Sequence, residues 1–193
     1  NRTENKDGKL KLVYCLHNSL PESSGGYATR AQGVALGLSK HSIDITCVTR
    51  PGVPWDIPNF KAQNEPELRY TINNIKYEKT REPSKKTHSG LNYIEKASVA
   101  MKEKLKQLDS ECVMAASNHT NAFLALLAAK SLNLPFFYEV RGFWEVTRIS
   151  REPEFYYTID MFAQEFFEAF AAKNSDHVFT LTSPMKEELI NRG

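Results

Sequence analysis

The sequence has little net charge and no close pairs of cysteines. Its 193 residues carry 25 Lys and Arg against 23 Asp and Glu, which gives a net charge of +2. A dedicated nucleic-acid-binding protein usually carries a clear basic excess, so that function is disfavoured. The five histidines are dispersed without ligand spacing, and this disfavours a zinc or iron site.

Cysteine and apolar runs are also sparse. Cys15, Cys47 and Cys112 are an odd number of widely spaced thiols, each within an apolar run, which favours buried free cysteines and a reducing compartment. No apolar run approaches the roughly 20 residues that a membrane span needs, and no signal peptide precedes the first strand. We therefore expect a cytoplasmic protein.

The composition is that of a globular protein with a substantial core. Hydrophobic residues make up 41% of the chain and charged residues 25%, which excludes bulk disorder. We expect a polar lead-in over residues 1–9 and one domain over residues 10–193. Because the chain begins at Asn1 rather than Met and stops just after a helix-like segment, we expect it to be a fragment of a longer protein.

Apolar runs typical of strands alternate with segments of helical spacing. This alternation predicts an α/β fold, a Rossmann-like three-layer sandwich with a mostly parallel sheet, in which ligands bind beyond the carboxyl ends of the strands. We expect residues 76–86 to form a solvated loop and an aromatic stripe in the helix over 156–173 to lie in the core. The predicted strands are 10–16, 43–49, 112–116, 136–140 and 177–181, with a short strand pair within 70–77, and the predicted helices are 27–40, 91–108, 121–132, 156–173 and one opened by Ser183-Pro184.

Gly25 and Gly26 stand in the loop after the first strand, immediately before a helix. Paired glycines there let backbone N–H groups approach an anion, which the helix dipole also attracts, so a phosphate or a sugar fits. The loop matches neither the dinucleotide fingerprint nor a P-loop, which disfavours hydride-transfer cofactors and ATP hydrolysis. A tight turn that needs positive φ explains the glycines equally well.

Two later loops carry further polar and aromatic groups. Small polar residues from Ser117 to Asn121 could form a pocket wall, with His119 placed for proton chemistry or a hydrogen bond to a sugar hydroxyl; alternatively, they only cap the next helix. In the loop over 138–145, the Arg141 guanidinium suits a phosphate or carboxylate. Phe143 and Trp144 offer flat faces for a carbohydrate ring. The alternative for this loop is a structural ion pair of Glu139 or Glu145 with Arg141.

These segments resemble the amino-terminal domain of family 4 glycosyltransferases of the GT-B fold, especially bacterial members that assemble polysaccharides. The resemblance covers most of residues 9–193, and its most specific part is YEVRGFWE. It rests on SSGGYATRAQG, VTRPGVPWD, AASNHTNAFLALLAAKSLNLPFFYEVRGFWE and HVFTLTSPMKEELINRG.

The resemblance implies a retaining hexosyltransferase that moves a sugar from a nucleotide sugar to a glycan or lipid-linked acceptor in polysaccharide biosynthesis, without a metal or another cofactor. This domain would receive the acceptor, and a carboxy-terminal domain absent from the chain would hold most of the donor. We therefore expect little or no activity from the chain alone. The resemblance also leaves open peripheral contact with the inner face of the cell membrane.

The resemblance also implies roles for individual residues. Where many family members carry histidines at the end of the fourth strand, this chain reads Met114-Ala115-Ala116. Retaining transfer in this fold relies on electrostatic stabilisation, which makes a protein base less essential. The implied site residues are Gly25 and Gly26 for the donor diphosphate, His119 and Glu145 for catalysis, and Tyr27, Arg30, Ser117, Asn118, Arg141, Phe143 and Trp144 for the acceptor.

Two other functions stay open at this point. The sparse set of acids and bases suits a non-catalytic sugar- or nucleotide-binding module. A different Rossmann enzyme, such as a methyltransferase or a sugar-nucleotide epimerase, is disfavoured because the first loop lacks the usual dinucleotide glycine spacing.

Overall fold

The computed structural model describes residues 8–61 and 65–193. Within these described ranges, regular structure begins at Leu10, the first residue of the first strand. Residues 1–7 of the predicted polar lead-in lie outside the described residues.

The centre of the molecule is a seven-stranded sheet in the order β3-β4-β2-β1-β5-β6-β7. All neighbouring strands run parallel except β3, which pairs antiparallel with β4. The predicted fold class is therefore confirmed, and the predicted short strand pair, β3 and β4, lies at one edge of the sheet. The strands are β1 (Leu10–Leu16), β2 (Ile43–Thr49), β3 (Arg69–Ile72), β4 (Ile75–Glu78), β5 (Cys112–Ala116), β6 (Phe136–Val140) and β7 (His177–Thr180).

Helices cover both faces of the sheet. A short helix after β6 had no counterpart in the sequence prediction, because six residues are too few to show helical periodicity. Among the described residues, no helix is both long enough and apolar enough to cross a membrane. The helices are α1 (Gly26–Ser39), α2 (Gly90–Gln107), α3 (His119–Ser131), α4 (Trp144–Ile149), α5 (Ile159–Lys173) and α6 (Ser183–Asn191), with a 3-10 helix at Pro153–Tyr157.

Alternation along β1 divides the core into two halves. Leu12, Tyr14 and Leu16 pack with α1 on one face, whereas Val13 and Cys15 pack with α2 and α3 on the other, as successive side chains of a strand must. The continuous apolar pattern of this strand thus reflects burial on both faces.

All three cysteines are buried and free, as the sequence predicts. Burial raises the pKa of the Cys47 thiol to about 12 and that of Cys112 to about 11. Because the thiolate is the reactive species, these thiols are unreactive at neutral pH.

The prediction that the aromatic stripe lies in the core is wrong. On α5, Phe162 is 59% exposed and Phe166 is 61% exposed, and Phe170 is also exposed. The helix instead buries Met161, Glu168 and Ala171, a neighbouring face that includes one carboxylate. Hydrophobic spacing locates a stripe on a helix, but it does not determine which side meets the rest of the fold.

Candidate functional site

The centre of the sheet provides a crevice at its carboxyl edge. Strand β1 has β2 on one side and β5 on the other. The strand order reverses between β1 and β5, because β1 connects to β2 on one side while β5 connects to β6 on the other. In such a sheet the loops after the two central strands diverge and leave room for a ligand. Here those loops are the segment from His17 to Gly25 and the pair Ser117 and Asn118.

Buried polar atoms without a partner concentrate at the same edge. Almost all buried polar groups in proteins are hydrogen-bonded, so a local group of unpaired atoms indicates a place where water or a polar ligand binds. All the atoms found in the described residues belong to the ends of β1, β2, β5 and β6 or to the loops and helical turn that follow. They are His17 Nδ1, Asn18 Oδ1, Thr49 Oγ1, Arg50 Nε, Asn118 Oδ1, Asn121 Oδ1 and Arg141 Nε.

The glycine pair borders the crevice in a relaxed conformation. Gly25 has φ −67°, and Gly26 is not among the residues with positive φ. A Cβ built on either glycine would meet nothing within 4 Å. The alternative that these glycines serve a turn with positive φ is therefore wrong. The space in front of the first N–H groups of α1 is open, while diphosphate binding there stays a prediction.

In the loop after β5, one polar side chain makes a structural hydrogen bond and another has an unpaired oxygen at the crevice. The Ser117 hydroxyl is buried and accepts a hydrogen bond from the Arg141 backbone N–H at 3.2 Å. Asn118 is the N-cap residue of α3, yet its side chain makes no capping hydrogen bond and its Oδ1 is unpaired. The capping alternative therefore does not account for the Asn118 side chain.

The structure brings Asn118, His119 and Trp144 together around one cavity of about 510 Å³. The cavity is also lined by the cationic side chains of Lys85 and Arg148. Three of the predicted site residues, from two separate loops, thus meet at the carboxyl edge of β5 and β6.

Lys85 comes from a segment that was expected to be solvated. That expectation is wrong in part, because residues 75–78 form β4 and Lys79 is buried against Glu22. Lys85 lines the cavity next to His119. Partial desolvation and the nearby Arg50 guanidinium lower the pKa of Lys85 to about 8.

A second histidine, His17, was missed by the sequence prediction, which treated His119 as the one histidine placed for proton chemistry. His17 directly follows β1, and its ring meets the Trp144 ring edge-on at 5.2 Å between centroids. Its Nδ1 has no partner. The available signal was its position as the first residue after the central strand.

Both imidazoles are neutral at pH 7. Burial, together with Arg50 and Lys85, lowers the pKa of His17 to about 3. Burial and Lys85 lower the pKa of His119 to about 4. A neutral imidazole offers one donor and one acceptor, so the pair suits hydrogen bonds to hydroxyl groups better than strong base catalysis.

These shifts predict that acid destabilises the fold from pH 6.5 downward. The pKa of a histidine in the unfolded chain is near 6.5, whereas in the folded chain the pKa is about 4 for His119 and about 3 for His17. The unfolded state then binds more protons, so the free energy of unfolding decreases as the pH falls. Glu168 opposes this between about 4.5 and 7, because burial raises its pKa to about 7 and the folded state keeps its proton.

Between pH 6 and 5 the unfolded state binds about one proton more than the folded state. The free energy of unfolding therefore changes by about 1.4 kcal/mol per pH unit in this range. Urea unfolding at a series of pH values measures this slope. We expect His17→Gln to make the profile nearly flat and the exposed control His41→Gln to leave it unchanged. The same slope in His17→Gln as in the wild type would contradict the burial argument.

Arg141 is part of a buried network. Its side chain is 6% exposed and bonds the Glu139 carboxylate at 2.9 Å, the Tyr27 carbonyl at 2.9 Å and the Tyr14 hydroxyl. Burial acts to raise the pKa of Glu139, but hydrogen bonds and charge from Arg141 lower it overall. The guanidinium thus forms the structural ion pair that was the alternative for this loop, while its Nε has no partner, and the acceptor-binding role of Arg141 stays a prediction.

Glu145 is also bound by an arginine and does not line the cavity. Its carboxylate is buried and accepts a hydrogen bond at 2.7 Å from Nη1 of Arg192, the residue that follows α6. The Arg192 guanidinium lies 4.2 Å from the centre of the Phe143 ring. Glu145 and Phe143 thus share one structural partner, Arg192, and the catalytic role of Glu145 stays a prediction. Trp144 alone of this segment is exposed beside the cavity.

Tyr27 and Arg30 project from the first turns of α1. The Tyr27 hydroxyl accepts from the His17 backbone N–H at 3.0 Å and donates to the Ala116 carbonyl at 3.3 Å, which ties the two central loops together. Arg30 is exposed and reaches the Glu139 carboxylate at 3.2 Å. Their predicted contacts with an acceptor stay predictions.

Comparison with known proteins extends over nearly the whole chain. The family model described as Glycosyl transferase 4-like domain matches residues 25–193. A search of curated proteins gave no match.

Solved structures share the fold at low sequence identity, and the chain spans less than half the length of each. The UDP-GlcNAc 2-epimerase from Neisseria meningitidis bound to UDP-GlcNAc matches with a TM-score of 0.62 and 15% identity, over 94% of this chain and 43% of that chain. The UDP-N-acetylglucosamine 2-epimerase from Rickettsia bellii matches with a TM-score of 0.61 and 16% identity, over 96% and 42%. The UDP-GlcNAc 2-epimerase from Methanocaldococcus jannaschii matches with a TM-score of 0.57 and 15% identity, over 95% and 43%.

Proposed function

The chain belongs to the Glycosyl transferase 4-like domain family, and from that premise we propose that it is the amino-terminal, acceptor-side domain of a retaining glycosyltransferase. The complete enzyme transfers a hexosyl group from a nucleotide sugar to a glycan or lipid-linked acceptor in polysaccharide biosynthesis. It works in the cytoplasm, at or near the inner face of the cell membrane.

The observation that carries this proposal is the group of unpaired buried polar atoms at the carboxyl edge of the sheet. A polyhydroxylated ligand supplies many donors and acceptors at once, which is what such a surface lacks. The open space before Gly25 and Gly26 lets a diphosphate approach the N–H groups of α1 without a steric obstacle. The donor diphosphate and the acceptor sugar then meet between the loops that follow β1 and β5.

The side chains around the crevice have separate tasks in this proposal. The neutral imidazoles of His17 and His119 and the Asn118 amide hold sugar hydroxyls in place. The exposed Trp144 ring gives a flat face for the acceptor sugar, and the first N–H groups of α1 stabilise the negative charge that the leaving diphosphate gains. Pre-placed donors and charges of this kind accelerate transfer without a metal or a strong protein base.

A second domain completes the donor site in this proposal. The chain spans less than half the length of the solved structures that it matches, in line with a single half of a two-domain enzyme. The chain alone therefore has little or no transfer activity, because the groups that hold the nucleotide lie on the other half.

Sugar transfer across a panel of nucleotide sugars tests the proposal. The complete protein and this chain alone are supplied with each donor, with and without EDTA, and the release of the nucleotide diphosphate and the glycosylated product are measured. We expect transfer by the complete protein only, unchanged by EDTA and with retention at the anomeric carbon. Transfer by the chain alone would contradict the division between the two domains. The absence of transfer from every donor and acceptor would favour a non-catalytic sugar-binding module.

The shared fold of UDP-GlcNAc 2-epimerases makes epimerisation the second candidate. The same assay discriminates the two functions when the acceptor is omitted. Conversion of UDP-GlcNAc into its 2-epimer by the complete protein would favour the epimerase, whereas a strict requirement for an acceptor would favour the transferase.

A further inference from the structure

A second cavity, of about 400 Å³, adjoins the crevice between the first turns of α2 and α3. Four apolar side chains line it: Leu91 and Ile94 of α2, Phe123 of α3 and Phe167 of α5. The Phe123 and Phe167 rings lie 5.0 Å apart between centroids. We call this space the α2–α3 cavity, and its volume falls within the range of small-molecule sites.

The α2–α3 cavity is continuous with the candidate site. Both spaces are lined by Lys85, His119 and Thr120. These three residues form the polar mouth of the α2–α3 cavity and part of the wall of the 510 Å³ cavity. The His119 ring lies nearly parallel to the Phe167 ring at 6.4 Å between centroids. A ligand held at His119 can therefore extend into the apolar part without leaving the crevice.

The apolar side of the α2–α3 cavity does not suit a sugar. A buried hydroxyl without a hydrogen-bond partner is costly, and the four apolar side chains offer neither donors nor acceptors. An apolar group, by contrast, gains stability from each methylene that it removes from water.

A charged group at the mouth complements this apolar interior. The Lys85 ammonium lies 5.5 Å from the centre of the Tyr93 ring and, among the described residues, forms no ion pair. It is thus available to an anion that enters at the polar mouth.

We propose that the α2–α3 cavity binds the apolar part of an amphiphilic acceptor whose anionic head group lies against Lys85. This inference rests on the proposed function, and it selects acceptors that carry an anionic group and a hydrocarbon or aromatic tail over purely hydrophilic glycans. The acceptor hydroxyl that receives the sugar then lies at His119, where the two spaces meet.

Short alkyl phosphates test this inference directly on the chain. Butyl, hexyl and octyl phosphate are titrated below their micelle concentrations, with inorganic phosphate and octyl glucoside as references, and binding is followed by calorimetry. We expect the affinity to increase up to about fourfold for each added methylene and to be weaker for the neutral octyl glucoside. Equal affinities for the three alkyl phosphates would overturn the proposal.

A matched pair of variants places the binding in the cavity. Leu91 and Val99 are both exposed on α2, but Leu91 alone lines the cavity. We expect Leu91→Arg to weaken octyl phosphate binding at least tenfold and Val99→Arg to leave it unchanged. Equal effects of the two variants would mean that the alkyl chain binds elsewhere. We also expect Lys85→Met to weaken octyl phosphate binding while octyl glucoside binding is retained.

The failure of this inference is distinguishable from failure of the proposed function. If chain-length-dependent binding is found but the complete protein transfers no sugar, the cavity assignment is supported and the transferase assignment fails. If the complete protein transfers sugar and the alkyl phosphates bind without any dependence on chain length, the transferase assignment stands and the cavity assignment is overturned.

Discussion

Replacing Arg141 with alanine is expected to lower the free energy of unfolding by about 3–5 kcal/mol, because it leaves the Glu139 carboxylate charged and buried without its main partner. The Tyr27 carbonyl and the Tyr14 hydroxyl lose a donor at the same time. Urea unfolding followed by far-ultraviolet circular dichroism measures the change. A loss of this size approaches the whole stability of many domains, so we expect a large part of the variant to be recovered unfolded.

Arg30→Ala is the matched control, since Arg30 binds the same carboxylate from the surface. Its side chain is 45% exposed, against 6% for Arg141, and surface ion pairs contribute at most about 1 kcal/mol. We therefore expect a small loss for Arg30→Ala. If Arg141→Ala were as stable as Arg30→Ala, the buried network would not be what Arg141 provides, and its direct contact with an acceptor would regain support.

Replacing Gly26 with valine in the complete protein is expected to reduce kcat/KM for sugar transfer by about 100-fold or more, a loss typical of removing one pre-placed donor to a developing anion. The branched side chain would project into the open space before α1 and keep a diphosphate from the N–H groups. The melting temperature should stay near that of the wild type, because a Cβ at this position meets nothing within 4 Å.

Gly33→Val provides the control for this prediction. Gly33 lies on the same helix, is exposed and also has open space around it, but it stands two turns beyond the loop. We expect nearly full activity from this variant. Comparable losses in both would indicate that valine perturbs α1 as a whole, and wild-type rates in both would contradict diphosphate binding at the glycine pair.

The exposed stripe on α5 and the buried ion pairs show where inference from sequence fails. Phe162 and Phe166 are apolar and spaced like a core face, yet they lie at the surface, while Glu168 of the same helix is buried with its carboxylate hydrogen-bonded to the Tyr138 hydroxyl at 2.5 Å. From residue type alone, Phe162 and Phe166 would be predicted to be buried and Glu168 to be exposed. A carboxylate is buried when a partner across the fold meets it, and that partner is 30 residues away in the chain.

Strand and helix periodicity, read together with the rule that parallel strands present their carboxyl ends at one edge, was enough to predict the fold class and the three loops that border the crevice. These signals are local, since each depends on a few neighbouring residues. The tertiary structure decided which side chains in those loops are free. Arg141 and Glu145 are engaged by Glu139 and Arg192, whereas His17, Asn118, His119 and Trp144 face the crevice or line its cavity. Whether a charged group is available to a ligand depends on the partners that folding brings to it. Because these partners can be distant in the sequence, local sequence patterns do not reveal the contact.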